Sequence, residues 1–370
     1  MVCGHGSRDK DAEREFGLVA AGLKKRFPGT PIEYGFLEFS APNIHMGLHE
    51  LVRQGVDEIY AVPGMLFAAT HAKNDIPSVL TTFEEQHPDI KVSYGSELGL
   101  HDAMIEAFQT RIYESLGLDP EQPPETLYDT LLVVVGRGTS DTGANAEAAK
   151  LTRLVSENMG FGWADTVYSG VTYPSVGIGL EKLLKLGFKR VVVAPYFLFT
   201  GRLIKRIYGY VDRVAGQNPD VEFIKTPYLN EHPKVIDAFE IRLREIMEGT
   251  DAPSTLMSSF KQRLAAGEVD VHHHHAEFTE SDADQQPADS HSHDHSHDHG
   301  HPHDHHGQEQ GHEHGHSHGV YKHIAHPLGP RTMIGEGVCC CFMSQFPQEV
   351  LDQEQEKIAN SGSELPLAHR

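Results

Sequence analysis

Shifted by about 131 residues, the first 249 residues of this 370-residue chain align with themselves, so the fold must accommodate two copies of one unit. VCGHGSRD (2–9) returns as VVGRGTSD (134–141), each followed by a segment of helical period, DAEREFGLVAAGLKKRF and GANAEAAKLTRLVSENM. EYGFLEFSAPNI (33–44) returns as TVYSGVTYPSVG (166–177), with Pro42 opposite Pro174 near the expected start of a helix, a position proline tolerates. DEIYAVPGMLFAATHAKNDI (57–76) returns as KRVVVAPYFLFTGRLIKRI (189–207) after a one-residue gap. YGSELGLHDAMIEAFQTRI (94–112) returns as IKTPYLNEHPKVIDAFEIRL (224–243), pairing His101 with His232. Those two histidines are expected to serve local packing and are left out of the site.

Apolar runs such as EIYAVP (58–63), LLVVVG (131–136) and VVVAP (191–195) alternate with helical segments, the pattern of β/α units around a parallel sheet. The expected class is α/β, with two similar lobes, each a four-stranded parallel sheet flanked by helices. Lobe one is expected over 1–115, a proline-rich acidic linker over 116–129 and lobe two over 130–249. A His/Asp-rich disordered segment is expected over 250–319 and a cysteine-containing tail over 320–370. Ligands of such sheets bind beyond the carboxyl ends of the strands, which places the expected site in the cleft between the lobes.

Composition removes several classes of function. A formal net charge of -22 argues against nucleic acid as a partner, which calls for excess basic charge. No apolar run reaches the ~18 residues of a membrane span, and MVCGHGSRDK lacks an export signal's pattern. The four cysteines, Cys3 and the run Cys339, Cys340 and Cys341, do not space like a secreted disulfide framework. A cytoplasmic protein is expected.

His5 and His71 each follow an apolar run, and Glu38 follows the second strand of the same lobe. Two imidazoles and a carboxylate on one sheet edge suit cobalt, nickel, iron or zinc, and can also move protons. Lobe two departs at these positions, with Arg137 in place of His5, Gly170 in place of Glu38 and Arg202 in place of His71. With Lys205 and Arg206 nearby, that wall reads as a receptor for carboxylate or phosphate, and Arg8 of GHGSR belongs with the substrate-binding set. A phosphate cradle at GHGSR is a weaker reading, because neither repeat has the spacing of a nucleotide-binding glycine loop. A hinged binding protein without catalysis stays open.

GHGSR (4–8), GFLEFSAP (35–42) and THAKNDIP (70–77) resemble the sirohydrochlorin chelatases, and the whole layout is similar to the long form of the CbiX family. The resemblance implies the class II chelatase fold and insertion of Co2+ into sirohydrochlorin during cobalamin synthesis. It places the family's active-site histidines, which meet the Co2+, on His5 and His71, and its glutamate on Glu38. Arg8, Arg137, Arg202 and Lys205 would hold the carboxylates of the macrocycle. Iron insertion for siroheme and non-catalytic metal storage or delivery remain alternatives.

Between His272 and His318 lie 17 of the 27 histidines, interleaved with ten Asp or Glu and no Lys or Arg. Such a tract cannot bury enough apolar surface to fold and offers interchangeable ligands for divalent metal, so storage or delivery is expected and catalysis should survive its removal. In long-form members a C-terminal cysteine motif is associated with an iron–sulfur cluster. Here the three cysteines are consecutive, so an extended segment would point Cys339 and Cys341 one way and Cys340 the other. A four-cysteine cluster would need a second subunit, which leaves a homodimer open, and other thiol chemistry is the alternative.

Overall fold

In a computed structural model of the chain, the structure describes residues 1–170, 172–250, 256–269, 271, 322–324 and 331–333. The repeat becomes a repeated sheet. Strands β1 (Val2–Gly4), β2 (Tyr34–Phe36), β3 (Glu58–Pro63) and β4 (Lys91–Tyr94) pair in parallel in the order β2-β1-β3-β4. Strands β5 (Leu127–Gly136), β6 (Phe161–Tyr168), β7 (Arg190–Pro195) and β8 (Glu222–Lys225) pair in parallel in the matching order β6-β5-β7-β8. Between them run α1 (Lys10–Arg26), α2 (Ile44–Arg53), α3 (Ile76–Gln86) and α4 (Asp102–Ser115), then α5 (Thr142–Met159), α6 (Val176–Leu183), α7 (Arg202–Gln217) and α8 (Pro233–Glu248). A π-helical turn, His71–Asp75, leads into α3. Helices on both faces account for the unbroken apolar strands, and Leu131 through Val135 of β5 are wholly buried.

The lobes share a core. Val2, Phe16 and Phe108 of lobe one belong to one buried cluster with Leu132, Val192 and Phe239 of lobe two, while each lobe keeps a second core on its outer face. Helix α8 supplies much of this junction, packing on α1, α4 and β3. Each fully buried Phe side chain there contributes ~1.5–3 kcal/mol by burial, which binds the lobes more firmly than a hinge would.

Pro42 and Pro174 stand near helix starts as expected, each in a cis peptide just ahead of an N-cap, Asn43 or Ser175, whose side chain accepts from Met46 N or Ile178 N. Two expectations need adjustment. Strand β5 starts inside the expected linker, because Leu127 is buried while Tyr128 and Asp129 are exposed across a register shift. The segment expected to be disordered from 250 contains α9 (Leu256–Ala265), whose Met257 and Phe260 enter the outer core of lobe one. Its apolar residues recur at helical spacing, so it has a face to bury.

Farther on, β9 (Lys322–Ile324) and β10 (Arg331–Met333) pair antiparallel. The tract His272–His318 and Cys339, Cys340 and Cys341 lie outside the described residues. Among the described residues no helix is long and apolar enough to cross a membrane.

Candidate metal centre

Loops after β1, β2 and β3 carry His5, Glu38 and His71 to the carboxyl edge of the first sheet. One ligand atom from each lies within 4.8 Å of the other two, and all three residues are half-buried. His5 Nε2 is 3.5 Å from Glu38 Oε1, and the two imidazoles meet edge to face with ring centres 4.4 Å apart. Among the described residues this is the one cluster of three or more such groups placed to hold a metal ion.

Backbone packing sets the first two residues. Leu37 N donates to Gly4 O at 2.9 Å and Glu38 N to His5 O at 3.1 Å, fastening the second loop onto the first. Gly6 has φ of 95°, and a Cβ there would stand 1.7 Å from Glu38 O, so only glycine lets the loops touch. Ser40 Oγ accepts from Ser7 N at 2.9 Å and donates to Ser7 O at 2.8 Å, closing the contact. His5 Nδ1 lies 3.0 Å from Gly6 O. A carbonyl only accepts, so Nδ1 carries the proton and Nε2 presents its lone pair beside Glu38.

His71 is set differently. It opens the π-helical turn, in which Ile76 N donates to His71 O, and its Nδ1 lies 2.5 Å from Oδ2 of the buried Asp75. π-Helical turns recur at functional sites, and a carboxylate behind a ligating imidazole fixes its tautomer and raises its basicity. Sequence reasoning missed Asp75, although its four-residue spacing from His71 within HAKND was the available signal.

The second lobe meets this edge with positive charge. Arg137 is exposed yet ringed by protein, which lowers its pKa while the Glu38 carboxylate opposes the shift. Arg8 is exposed, its guanidinium carbon 4.9 Å from the centre of the Phe39 ring, and Arg202 is exposed at the start of α7. Lys205, assigned to a ligand by sequence, has a partner within the chain, because its Nζ lies 2.9 Å from Asp9 Oδ2. That bond is the main reason the Asp9 carboxyl sits below the usual range. Arg206 donates to Ser169 O from a half-buried position.

A mirrored bridge joins Lys73 to Asp141. Burial alone would raise the Asp141 pKa, but the hydrogen bond from Lys73 and backbone donors at the head of α5 more than offset it. Asp9 and Asp141 are both N-caps of the first helix of their lobes, so each lobe's lysine reaches the other's cap. His101 and His232 also match, each capping its lobe's last helix by accepting a backbone N–H, at Ala103 and Lys234. Away from this edge, Asp129, Leu186, Phe188, Arg190 and Glu222 line an open depression without histidine or thiol.

The CbiX family profile matches residues 1–115 and 131–246. A sirohydrochlorin cobaltochelatase of Priestia megaterium is 38% identical over 251 residues, 67% of this chain and 80% of that protein. A sirohydrochlorin ferrochelatase of Bacillus subtilis (strain 168) is 30% identical over 245 residues, 66% of this chain and 90% of that protein. Among solved structures, SirB from Bacillus subtilis with Fe3+ superposes with a TM-score of 0.58 at 28% identity, covering 68% of this chain and 98% of that one.

Proposed function

The chain belongs to the CbiX family, and on that premise we propose that it inserts Co2+ into sirohydrochlorin for cobalamin synthesis. The observation that carries the proposal is the convergence of His5, Glu38 and His71 on one sheet edge, facing a wall where the repeat substitutes arginine. Insertion requires three things of a protein: water must leave the ion, the pyrrole nitrogens must be presented to it, and two N–H protons must go elsewhere.

In this reading the imidazole Nε2 atoms of His5 and His71 replace water on the incoming ion. An imidazole lone pair not held by a metal ion can also accept a proton. Once the ion has passed to the ring nitrogens, His71 Nε2, oriented by Asp75 at Nδ1, is free again and takes a pyrrole proton. Glu38, beside His5 Nε2, takes or relays the other. Arg8, Arg137 and Arg202 hold the acidic rim of the macrocycle, because guanidinium groups pair with carboxylates in two-point geometry. Lys205 joins them only by giving up Asp9.

The same N,N,O set also suits Fe2+, and the Bacillus subtilis relative is a ferrochelatase. The cobaltochelatase match at 38% identity favours Co2+. The tract His272–His318 is read as a metal reservoir. A cluster on Cys339 and Cys341 rests on the resemblance alone.

The test follows the visible spectrum of sirohydrochlorin under anaerobic conditions with Co2+ and with Fe2+. Insertion faster than the uncatalysed rate, and lost in His5→Ala and His71→Ala, is expected. No acceleration with either metal would remove the enzyme reading and leave storage or delivery.

A further inference from the structure

We propose that Phe39 is the surface on which the macrocycle stacks, an inference that rests on the tetrapyrrole substrate named above. Phe39 is 43% exposed, and among the described residues no other phenylalanine is exposed. Its φ is 66°, in the left-handed region that phenylalanine avoids because Cβ crowds the following carbonyl. Among the described residues only Asn230 shares this property without being glycine. A buried ring recovers that cost through burial, whereas a ring 43% exposed recovers less of it.

The surroundings hold Phe39 in place. Glu38, the residue before it, is fixed to His5 O through its backbone N–H, and Ser40, the residue after it, is bonded twice to Ser7. The conformation is therefore imposed by two loops that also carry the metal centre, the arrangement in which strain persists for function. The Phe39 ring lies 6.1 Å from the His5 ring at an interplanar angle of 30°, and the Arg8 guanidinium sits over it at 4.9 Å. An exposed aromatic face beside a metal-binding imidazole, with a cation at hand, matches a flat conjugated ring bearing carboxylates at its rim. A metal ion alone would use none of this.

The experiment uses the full chain and measures KM and kcat for sirohydrochlorin with Co2+, binding of metal-free sirohydrochlorin, and the thermal midpoint. Phe39→Asn removes the ring and supplies a residue that accepts left-handed backbone, while Phe39→Trp keeps an aromatic face. Phe39→Asn is expected to raise KM and weaken binding of metal-free sirohydrochlorin about tenfold, ~1.4 kcal/mol and within the range of an aromatic pair. Its kcat should stay within about twofold and its thermal midpoint should change little, since relief of the left-handed backbone offsets the lost ring contacts with His5 and Arg8. Phe39→Trp should keep KM within about threefold. Unchanged KM and binding in Phe39→Asn, with an active parent chain, would overturn the stacking role alone. A parent chain that neither binds sirohydrochlorin nor accelerates insertion would remove the substrate itself, and the stacking role with it.

Discussion

His71 Nδ1 and Asp75 Oδ2 lie 2.5 Å apart across the π-helical turn, with Asp75 closed off from solvent. The contact fixes the orientation and tautomer of His71, as the Gly6 carbonyl does for His5 Nδ1. Asp75→Asn keeps the shape but lets an amide N–H point at Nδ1, which would move the ring proton to Nε2, the atom needed as a lone pair. Loss of such a partner typically costs 10- to 100-fold in activity or metal affinity. Initial rates of Co2+ insertion should fall by about that much, with an unchanged thermal midpoint. A wild-type rate in Asp75→Asn would show that His71 acts without it.

The Lys73–Asp141 bridge links the lobes through a helix cap, and the two contributions can be separated. Asp141→Asn preserves the cap and removes the charge, so it should cost no more than ~1 kcal/mol, and less at high salt. Asp141→Ala removes both and should cost about 1 kcal/mol more. Urea midpoints at two salt concentrations measure this. Equal stability of the two variants would mean the cap contributes nothing.

His232 caps α8 by accepting from Lys234 N, a role only an unprotonated Nδ1 can fill. Burial is the largest cause holding its pKa below the ordinary value, followed by the Arg111 charge, with Glu114 and Glu106 opposing. The folded state therefore disfavours the proton that the unfolded chain takes up near pH 6.5. The contribution to stability is complete above that pH and is lost as pH falls toward the depressed folded pKa. His232→Asn, a capping residue that does not titrate there, should flatten the decline in stability below pH 6.5 relative to the parent chain. Parallel pH profiles would dismiss the histidine as its source.

Helix α9 lies beyond the last residue matched by the family profile yet packs into the outer core of lobe one. Arg263 donates to Lys73 O at 2.8 Å and to Asn74 Oδ1 at 2.9 Å, inside the turn that carries His71. A chain ending after Val271 should insert metal at the parent rate when Co2+ is plentiful. One ending after Gly249 should insert more slowly and melt earlier, and Phe260→Ala alone should cost ~3–5 kcal/mol. Equal rates and midpoints for the two truncations would make α9 a passenger.

Much of this was readable in the amino-acid order. The repeat carried the doubled sheet, and the carboxyl ends of the apolar runs marked His5, Glu38 and His71, because the alternation of strand and helix is a local pattern. Asp75 escaped because a π-helical turn spaces residues much as an ordinary helix start does. Asp9 and Lys205 escaped for another reason: their bond depends on how the lobes dock, a long-range fact that no local period encodes. Helix α9 was hidden by composition, since the histidines beyond it made residues 250–271 look like part of one polar stretch, although Met257 and Phe260 had already declared a buried face.

The unequal halves of the repeat, His5 and His71 in one and Arg137 and Arg202 in the other, carry a further consequence. An assembly of two separate, identical units must present every side chain twice, so a proton acceptor on one side dictates a proton acceptor opposite. Writing both units into one chain lifts that obligation. The half that offers lone pairs and the half that offers charge can then change independently of one another.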